Sequence, residues 1–190
     1  MNQRKKIIKI ASRLISKNGY KGTSLKHISD LVGIHQSTLF HYFKNKEAIL
    51  LAVIDIAYEE LLKNINMIIE NRDISPEEKL KLAISNHIIL LEKHFSNVNV
   101  LISETGYLST KNQKKILKIR KNYTECIKRI VDEIKKTDKG YFKGMDTSIV
   151  AYGILGMCIW VGRWYKKGYA FKPEQISHIF YRMLTQGKDH

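Results

Sequence analysis

The sequence is poor in the residues and spacings that mark catalytic and metal-binding centres. Only two of its 190 residues are cysteines, Cys126 and Cys158, and they stand in neither a metal-binding nor a redox spacing. It has no nucleophile elbow, phosphate-binding loop, zinc-ligand pair or pair of catalytic carboxylates, and its seven histidines are scattered. We therefore expect no enzymatic activity, no cofactor and no metal. We expect both cysteines to be reduced core residues.

The sequence also lacks the pattern of a signal peptide or of a membrane span. Its N-terminus is charged through Lys9, with no apolar run before a cleavage site. The uncharged stretch from Thr147 to Gly162 is 16 residues long, which is short of the roughly 20 that cross a bilayer. Gly153 and Gly156 within it suit close helix packing. We therefore expect a buried helix in a cytoplasmic protein that has no membrane partner.

Acidic residues are scarce relative to basic ones. The chain has 18 acidic and 33 basic residues, a formal charge of +15. Ten of the basic residues lie within residues 1–47, where Asp30 and Glu47 are the only acids. A quarter of the chain thus carries half of the excess charge. Such a segment is expected to bind duplex DNA with a steep dependence on salt, although Lys9, Lys17 and Lys21 are expected only to solvate helix faces.

Strand patterns are almost absent, and apolar residues recur at helical spacing along the chain. Ser75 and Asp146 are typical helix caps, and Pro76 and Pro173 occupy typical first positions of helices. The pattern predicts an all-α fold of nine helices. One long helix is expected from about Thr110 to Lys136, with a stripe of apolar residues at Ile116, Tyr123, Ile127, Ile130 and Ile134.

Residues 23–47 have the pattern of two short helices joined by a glycine turn. The first would run from a Thr23 or Ser24 cap to Val32, and the second from Gln36 to Phe43, with Gly33 supplying the turn. Apolar residues fall where two crossing helices would bury side chains against each other: Ile28, Val32, Ile34 and Leu39. The small Ser29 falls where the two backbones would approach. The pattern predicts a helix-turn-helix that enters the major groove, and the alternative is a plain hairpin of a helical bundle.

Further motifs flank this segment in a familiar order. An apolar helix at residues 7–15 ends before Gly19-Tyr20, and Phe43 with Lys46-Glu47 precedes a long apolar helix. Over about residues 4 to 54 this order resembles the N-terminal domain of the tetracycline-repressor (TetR) family of transcription regulators. The resemblance implies a DNA-binding domain at 1–47 and a helical effector-binding and dimerisation domain at 48–190.

The resemblance also implies roles for residues of the first domain. Thr23 and Ser24 would hold a phosphate, and Tyr42 and Lys46 would hold the DNA backbone. Phe40 departs from the family, which usually has a phosphate-binding tyrosine there, and His35 departs from its usual small polar cap. The DNA-binding candidates are Thr23, Ser24, Lys26, His35, Gln36, Ser37, Thr38, Phe40, His41, Tyr42, Lys44 and Lys46.

Base preference follows from the chemistry of the second helix. Gln36 can pair with adenine, and Thr38 and Phe40 can contact the thymine methyl group. No arginine or lysine within residues 36–43 is available to read guanine. We expect the directly read part of the DNA site to be rich in A·T pairs.

The last two helices carry more apolar surface than one monomer face needs, including Tyr152 and Trp160. An apolar patch of this size predicts self-association. The resemblance implies a four-helix dimer interface and an inverted-repeat DNA site. The interface candidates are Ile159, Trp164, Ile176, Ile179, Phe180 and Met183.

Ligand sites of helical domains form between helices, so inward residues are the candidates. The run from Ile154 to Tyr165, followed by Gly168 and Pro173-Glu174-Gln175-Ile176, resembles the branch of the family that senses acyl-CoA thioesters. That resemblance implies an acyl chain in the bundle and CoA phosphates near Arg120, Arg163, Lys166 or Lys167. The ligand-binding candidates are His87, Arg120, Tyr123, Tyr152, Trp160 and Arg163. The aromatic residues and His87 are alternatively core residues, and Arg163 an interface salt-bridge partner.

Together these features predict a dimeric DNA-binding transcription regulator that acts as a repressor. A small-molecule effector, for which the resemblance suggests a fatty acyl-CoA, would release it from double-stranded DNA. The alternative is an architectural DNA-binding protein that responds to no effector.

Overall fold

The structure is a computed structural model that describes residues 2–137, 141–165 and 170–186. Within these ranges the chain forms nine α-helices, one 3₁₀ turn and no strand, which confirms the predicted all-α fold. The elements are α1 (Gln3–Asn18), α2 (Leu25–Val32), α3 (Gln36–Tyr42), α4 (Lys46–Glu70), α5 (Pro76–Lys93), α6 (Phe95–Glu104), the 3₁₀ turn (Thr105–Tyr107), α7 (Thr110–Lys135), α8 (Thr147–Trp164) and α9 (Pro173–Thr185).

Capping side chains fix several of the helix starts. Ser24 Oγ accepts a hydrogen bond from the His27 N–H at 3.0 Å, and Ser75 Oγ accepts one from the Glu78 N–H at 3.1 Å. An Asp146 oxygen accepts from the Ile149 N–H at 2.9 Å. Each such cap stabilises its helix by about 1 kcal/mol. The predicted caps at Ser75 and Asp146 are confirmed, and of the two candidates for α2 the cap is Ser24.

Two compact units are formed, and neither is continuous in sequence. The first contains the residues up to Glu59 together with His94–Leu117, and the second contains Glu60–Lys93 with the residues from Lys118 onward. This division differs from the boundary expected after residue 47. Within the first unit α6 packs on α1. Asn97 of α6 bridges α1 and α4. Its Oδ1 accepts from Ser12 Oγ at 3.1 Å and its Nδ2 donates to the Val53 carbonyl oxygen at 2.8 Å.

The core of the first unit contains the predicted crossing of α2 and α3. Ser29, the small residue expected where the two backbones approach, is 1% exposed. Gly33 ends α2 in the left-handed conformation, with φ 76° and ψ 43°, and donates its N–H to the Ser29 carbonyl oxygen at 3.0 Å. Ile34 is only half-buried. Ile10 and Leu14 of the apolar stripe predicted for residues 7–15 are half-buried as well. The other predicted core positions are buried: Ile7, Ile8, Ala11, Ile15, Ile28, Val32 and Leu39.

In the second unit α5 packs against both α8 and α9. All five residues of the apolar stripe predicted for α7 are buried. Four of them belong to the second unit, and Ile116 belongs to the first. Cys158 is buried, as predicted, and burial raises its pKa to about 12. Cys126 is half-buried rather than a core residue. Both thiols are free.

A polar pair lies inside the second unit. His87 Nδ1 of α5 and the Tyr123 hydroxyl of α7 are 3.1 Å apart, and both residues are buried. Burial lowers the pKa of His87 from 6.5 to about 4 and raises the pKa of Tyr123 well above 10.0. The imidazole is therefore neutral in the folded protein at neutral pH, and the pair is joined by a hydrogen bond between uncharged groups.

Helix α8 is apolar on both of its faces. Its inward face consists of Ala151, Ile154, Leu155, Cys158 and Val161, which are buried. Its outward face includes Ile149, Tyr152 and Trp160, which are exposed. The prediction of a buried helix is therefore wrong for this outward face. Among the described residues, α8 is the one helix whose length and composition alone would suffice to cross a membrane.

We predict that acid destabilises this fold through His87. Because the unfolded chain binds the His87 proton more tightly, the free energy of unfolding falls as pH decreases from about 6.5 toward 4. Between about pH 7 and pH 4.5, the free energy of unfolding should fall by about 2 kcal/mol less for His87→Gln than for the unsubstituted protein, as measured by urea unfolding.

His178, which is exposed on α9, provides the control for this experiment. The variant His178→Gln should retain the acid sensitivity of the unsubstituted protein. Identical pH profiles for His87→Gln and the unsubstituted protein would contradict the role of the buried imidazole.

Candidate nucleic-acid interface

Helix α3 presents an uncharged polar face to the outside of the first unit. Leu39 is buried, and this fixes the rotation of the helix about its axis. Gln36, Ser37 and His41 are exposed, while Thr38 is half-buried. Amide, hydroxyl and imidazole groups donate and accept hydrogen bonds, which is what base edges in a major groove require. The structure thus brings the four candidates for base contacts onto one short helix.

The two residues at the start of α2 have different environments. Ser24 is exposed and caps the helix through its Oγ. Thr23 is completely buried, and its Oγ1 donates to the Gly19 carbonyl oxygen at 3.0 Å. The expectation that the Thr23 side chain holds a phosphate is therefore wrong for this conformation, because its hydroxyl stabilises the preceding turn.

Aromatic residues extend the exposed surface of α3. Phe40 is 47% exposed and Tyr42 is 40% exposed, so both rings are accessible from solvent. His35 occupies the cap position of α3 but makes no capping hydrogen bond with its side chain. Its exposed ring is therefore not committed to stabilising the helix start.

The basic residues of the first unit divide into structural and accessible groups. Lys6 Nζ donates to the Val32 carbonyl oxygen at 2.8 Å. Its positive charge stabilises the C-terminus of α2, which is the negative end of the helix dipole. The Arg4 guanidinium carbon lies 5.2 Å from the centre of the Phe43 ring. Lys26 and Lys44, in contrast, are exposed. Lys46 is half-buried, and its ammonium lies 4.2 Å from the centre of the Tyr20 ring.

Glu47, which follows directly, was not predicted to have a structural role. Its Oε1 accepts hydrogen bonds from the Ser109 N–H at 2.8 Å and from Asn112 Nδ2 at 2.7 Å. The hydrogen bonds from Ser109 are the main reason that the pKa of Glu47 is lowered. Glu47 thereby connects the start of α4 to the start of α7. The partners are 62 and 65 residues away, so no local pattern could identify them.

The ligand-binding candidates do not form one cluster. His87 and Tyr123 meet inside the second unit. Tyr152 and Trp160 are 59% and 65% exposed on the outward face of α8, so their expected inward placement is wrong. Arg120 and Arg163 are exposed. Lys166 and Lys167 lie outside the described residues.

The interface candidates are mostly accessible. Ile159, Ile179 and Met183 are exposed, while Trp164 and Phe180 are half-buried. Ile176 is only 4% exposed, so its assignment to an interface is wrong. Ile176 lies on the buried side of α9, the helix that packs on α5.

Comparison with known proteins matches both parts of the chain to one family. The profile described as "Bacterial regulatory proteins, tetR family" matches residues 7–53. The profile described as "Tetracyclin repressor-like, C-terminal domain" matches residues 73–188. The second match alone covers more than half of the 190 residues.

Individual relatives are distant but align over most of the chain. The HTH-type transcriptional repressor KstR2 of Mycolicibacterium smegmatis is 25% identical over 98% of this chain and 90% of its own length. The fatty acid metabolism regulator protein of Bacillus subtilis is 28% identical over 79% of this chain and 76% of its own length.

Solved structures share the fold. The TetR family regulator PfmR from Thermus thermophilus has a TM-score of 0.88 at 22% identity, over 97% of this chain and 99% of that protein. AibR, solved in complex with isovaleryl coenzyme A and operator DNA, has a TM-score of 0.84 at 23% identity, over 97% and 98%. Because family profiles match both the helix-turn-helix and the C-terminal helices, the chain belongs to the TetR family of transcriptional regulators.

Proposed function

We propose that the protein is a repressor that binds an inverted-repeat operator as a homodimer and is released by a small-molecule effector. The observation that carries this proposal is the exposed polar face of α3, with Gln36, Ser37 and His41 accessible beside the buried Leu39. Exposed lysines at positions 26 and 44 lie before and after that helix in the chain. This combination suits base reading flanked by phosphate contacts.

The chemistry of α3 favours an operator with A·T pairs at its directly read positions. The Gln36 amide can make two hydrogen bonds with adenine, and the exposed Phe40 ring can contact thymine methyl groups. Phe40 lacks the hydroxyl with which a tyrosine could hold a phosphate. Tyr42, two residues further on, is exposed and can supply a hydroxyl to the DNA backbone.

The outward faces of α8 and α9 support the dimer. Ile149, Tyr152 and Trp160 of α8 and Met183 of α9 are exposed apolar side chains. The outward face of α8 also contains Gly153 and Gly156, whose lack of side chains allows a second helix to approach. A second copy of the chain is the occupant that we propose. The resulting two-fold symmetry would place two α3 helices about 34 to 36 Å apart, one DNA turn.

A fatty acyl-CoA is the effector that we propose. In support, one relative is named a fatty acid metabolism regulator protein, and AibR was solved with isovaleryl coenzyme A and operator DNA. In the second unit, the buried His87 and Tyr123 offer a polar pair inside an apolar interior. Such a pair could hydrogen-bond a carbonyl group while the surrounding apolar residues hold an alkyl chain.

Release requires that the effector bind the DNA-bound and DNA-free conformations with different affinity. A coupling free energy of about 1 to 3 kcal/mol is typical of such regulation. Helix α4 is continuous from Lys46 in the first unit to Glu70 in the second, and is the element that we propose carries the change. An architectural DNA-binding protein would bind DNA in the same way but would show no such coupling.

We predict that Gln36→Ala costs about 1 to 3 kcal/mol in binding to the cognate operator and little in binding to random DNA. The operator is first selected from random fragments, and affinities are then measured by fluorescence anisotropy at fixed salt. Lys44→Ala is the matched control, because loss of a phosphate contact should weaken both complexes equally. Equal losses for Gln36→Ala on the two DNAs would refute its role in base reading.

We predict that Trp160→Glu converts the dimer to a monomer in sedimentation experiments. Trp160 is 65% exposed in the single chain, so the substitution should leave the fold intact, whereas a dimer would bury the new carboxylate without a partner. Met67→Glu is the control, because Met67 is 61% exposed on α4, outside the proposed interface. A Trp160→Glu protein that remains dimeric would contradict the proposed interface.

We predict that a long-chain acyl-CoA stabilises the protein against heat, with free coenzyme A and an uncharged lipid of equal chain length as controls. At one hundred times its dissociation constant, a ligand adds about 2.7 kcal/mol, or about 5 to 10 °C for a chain of this length. The same ligand should lower the affinity for operator DNA. Stabilisation without any effect on DNA binding would contradict an effector role.

A further inference from the structure

Four side chains of the first unit form a column, which we call the aromatic column. The Lys46 ammonium lies 4.2 Å from the centre of the Tyr20 ring. Tyr20 stacks on Tyr107, with ring centres 5.4 Å apart and planes inclined by 26°. The Lys21 ammonium lies 5.5 Å from the centre of the Tyr107 ring. The column thus links the loop after α1 and the first residue of α4 to the 3₁₀ turn that follows α6.

Hydrogen bonds from residues just before and just after Tyr107 in the chain connect its turn to the segments of Tyr20 and Lys46. Before it, a Glu104 oxygen accepts from the Tyr20 N–H at 3.1 Å. After it, Ser109 and Asn112 donate to Glu47, the neighbour of Lys46. The 3₁₀ turn is therefore attached through its flanks to the same two segments that supply Tyr20 and Lys46.

The column constrains a side chain that is otherwise flexible. A lysine has a four-carbon stem with many rotamers, and fixing it costs conformational entropy at the moment of binding. The face of an aromatic ring attracts an ammonium group and leaves its remaining N–H donors available. Lys46 is half-buried over Tyr20, and burial lowers its pKa. The Tyr20 ring that the Lys46 ammonium contacts is in turn stacked on Tyr107.

We propose that Tyr107 is a positioning residue for DNA binding, which acts through Tyr20 to hold the Lys46 ammonium in place for a DNA phosphate. The proposal rests on the phosphate contact of Lys46 in the proposed function. Tyr107 itself does not touch DNA in this scheme. It transmits the position of the 3₁₀ turn to a phosphate-binding side chain 61 residues earlier in the chain.

The test compares operator affinity at several salt concentrations for Tyr107→Leu, Tyr107→Phe, Lys46→Gln and the double variant Tyr107→Leu with Lys46→Gln. Tyr107 is 44% exposed, so leucine should be tolerated. Tyr107→Leu should weaken operator binding about threefold to tenfold and reduce the salt slope by up to about 0.9 per half-site. Tyr107→Phe keeps the ring and should behave like the unsubstituted protein. The double variant should be no weaker than Lys46→Gln alone.

The remaining outcomes separate the two proposals. If Lys46→Gln reduces the salt slope and Tyr107→Leu does not, the positioning role is overturned while the phosphate contact stands. If Lys46→Gln leaves the slope unchanged, the phosphate contact fails and the positioning role fails with it. Lys17→Gln, which removes an equal charge from the exposed face of α1, controls for net charge. Tyr107→Met replaces the leucine variant if the melting temperature of that variant falls.

Discussion

The burial of Leu39 where α3 crosses α2 is the constraint on which the DNA-facing surface depends. Helix α3 has only seven residues, and so short a helix is not stable through its own hydrogen bonds. Its orientation is set by packing, with Gly33 in the left-handed conformation between the helices and the small Ser29 buried on α2. Once Leu39 is inside, residues 36, 37 and 41 must face outward, and the proposed base contacts follow from that rotation.

Local signals in the sequence are sufficient to predict the helices and the crossing of α2 and α3. The caps at Ser75 and Asp146, the glycine turn and the apolar stripe of α7 each involve residues within a few positions of one another. The membership of α6 in the first unit is a different case. It depends on contacts such as Ser12 with Asn97 and Tyr20 with Glu104, which are separated by 84 or 85 residues. A periodic pattern within one helix contains no information about which distant helix it packs against.

Residue type alone also failed to distinguish binding residues from structural ones. Thr23 and Ser24 are adjacent hydroxyl residues, yet one is buried as a donor to Gly19 and the other is exposed at a helix cap. Lys6 counts toward the positive charge of the first 47 residues, but its ammonium is hydrogen-bonded at the end of α2. The charge of the segment therefore overstates the number of cations available to DNA. What distinguishes these side chains is the position of a carbonyl oxygen, which only the folded structure supplies.

Helix α8 lacks the polar face by which a sequence pattern distinguishes the outside of a helix from its inside. Predicting the inward face of a helix requires a difference in polarity between its faces, and α8 is apolar on both. Tyr152 and Trp160 therefore fitted an interior site and an interface equally well from sequence. Their exposure favours the interface, because a large apolar face on a single chain is unfavourable unless it is covered. If a second copy covers this face, His87 and Tyr123 are the ligand-binding candidates that remain inside the second unit. His87 lies on α5, which packs against α8, so one helix would serve the dimer with its outward face and the interior of the second unit with its inward face.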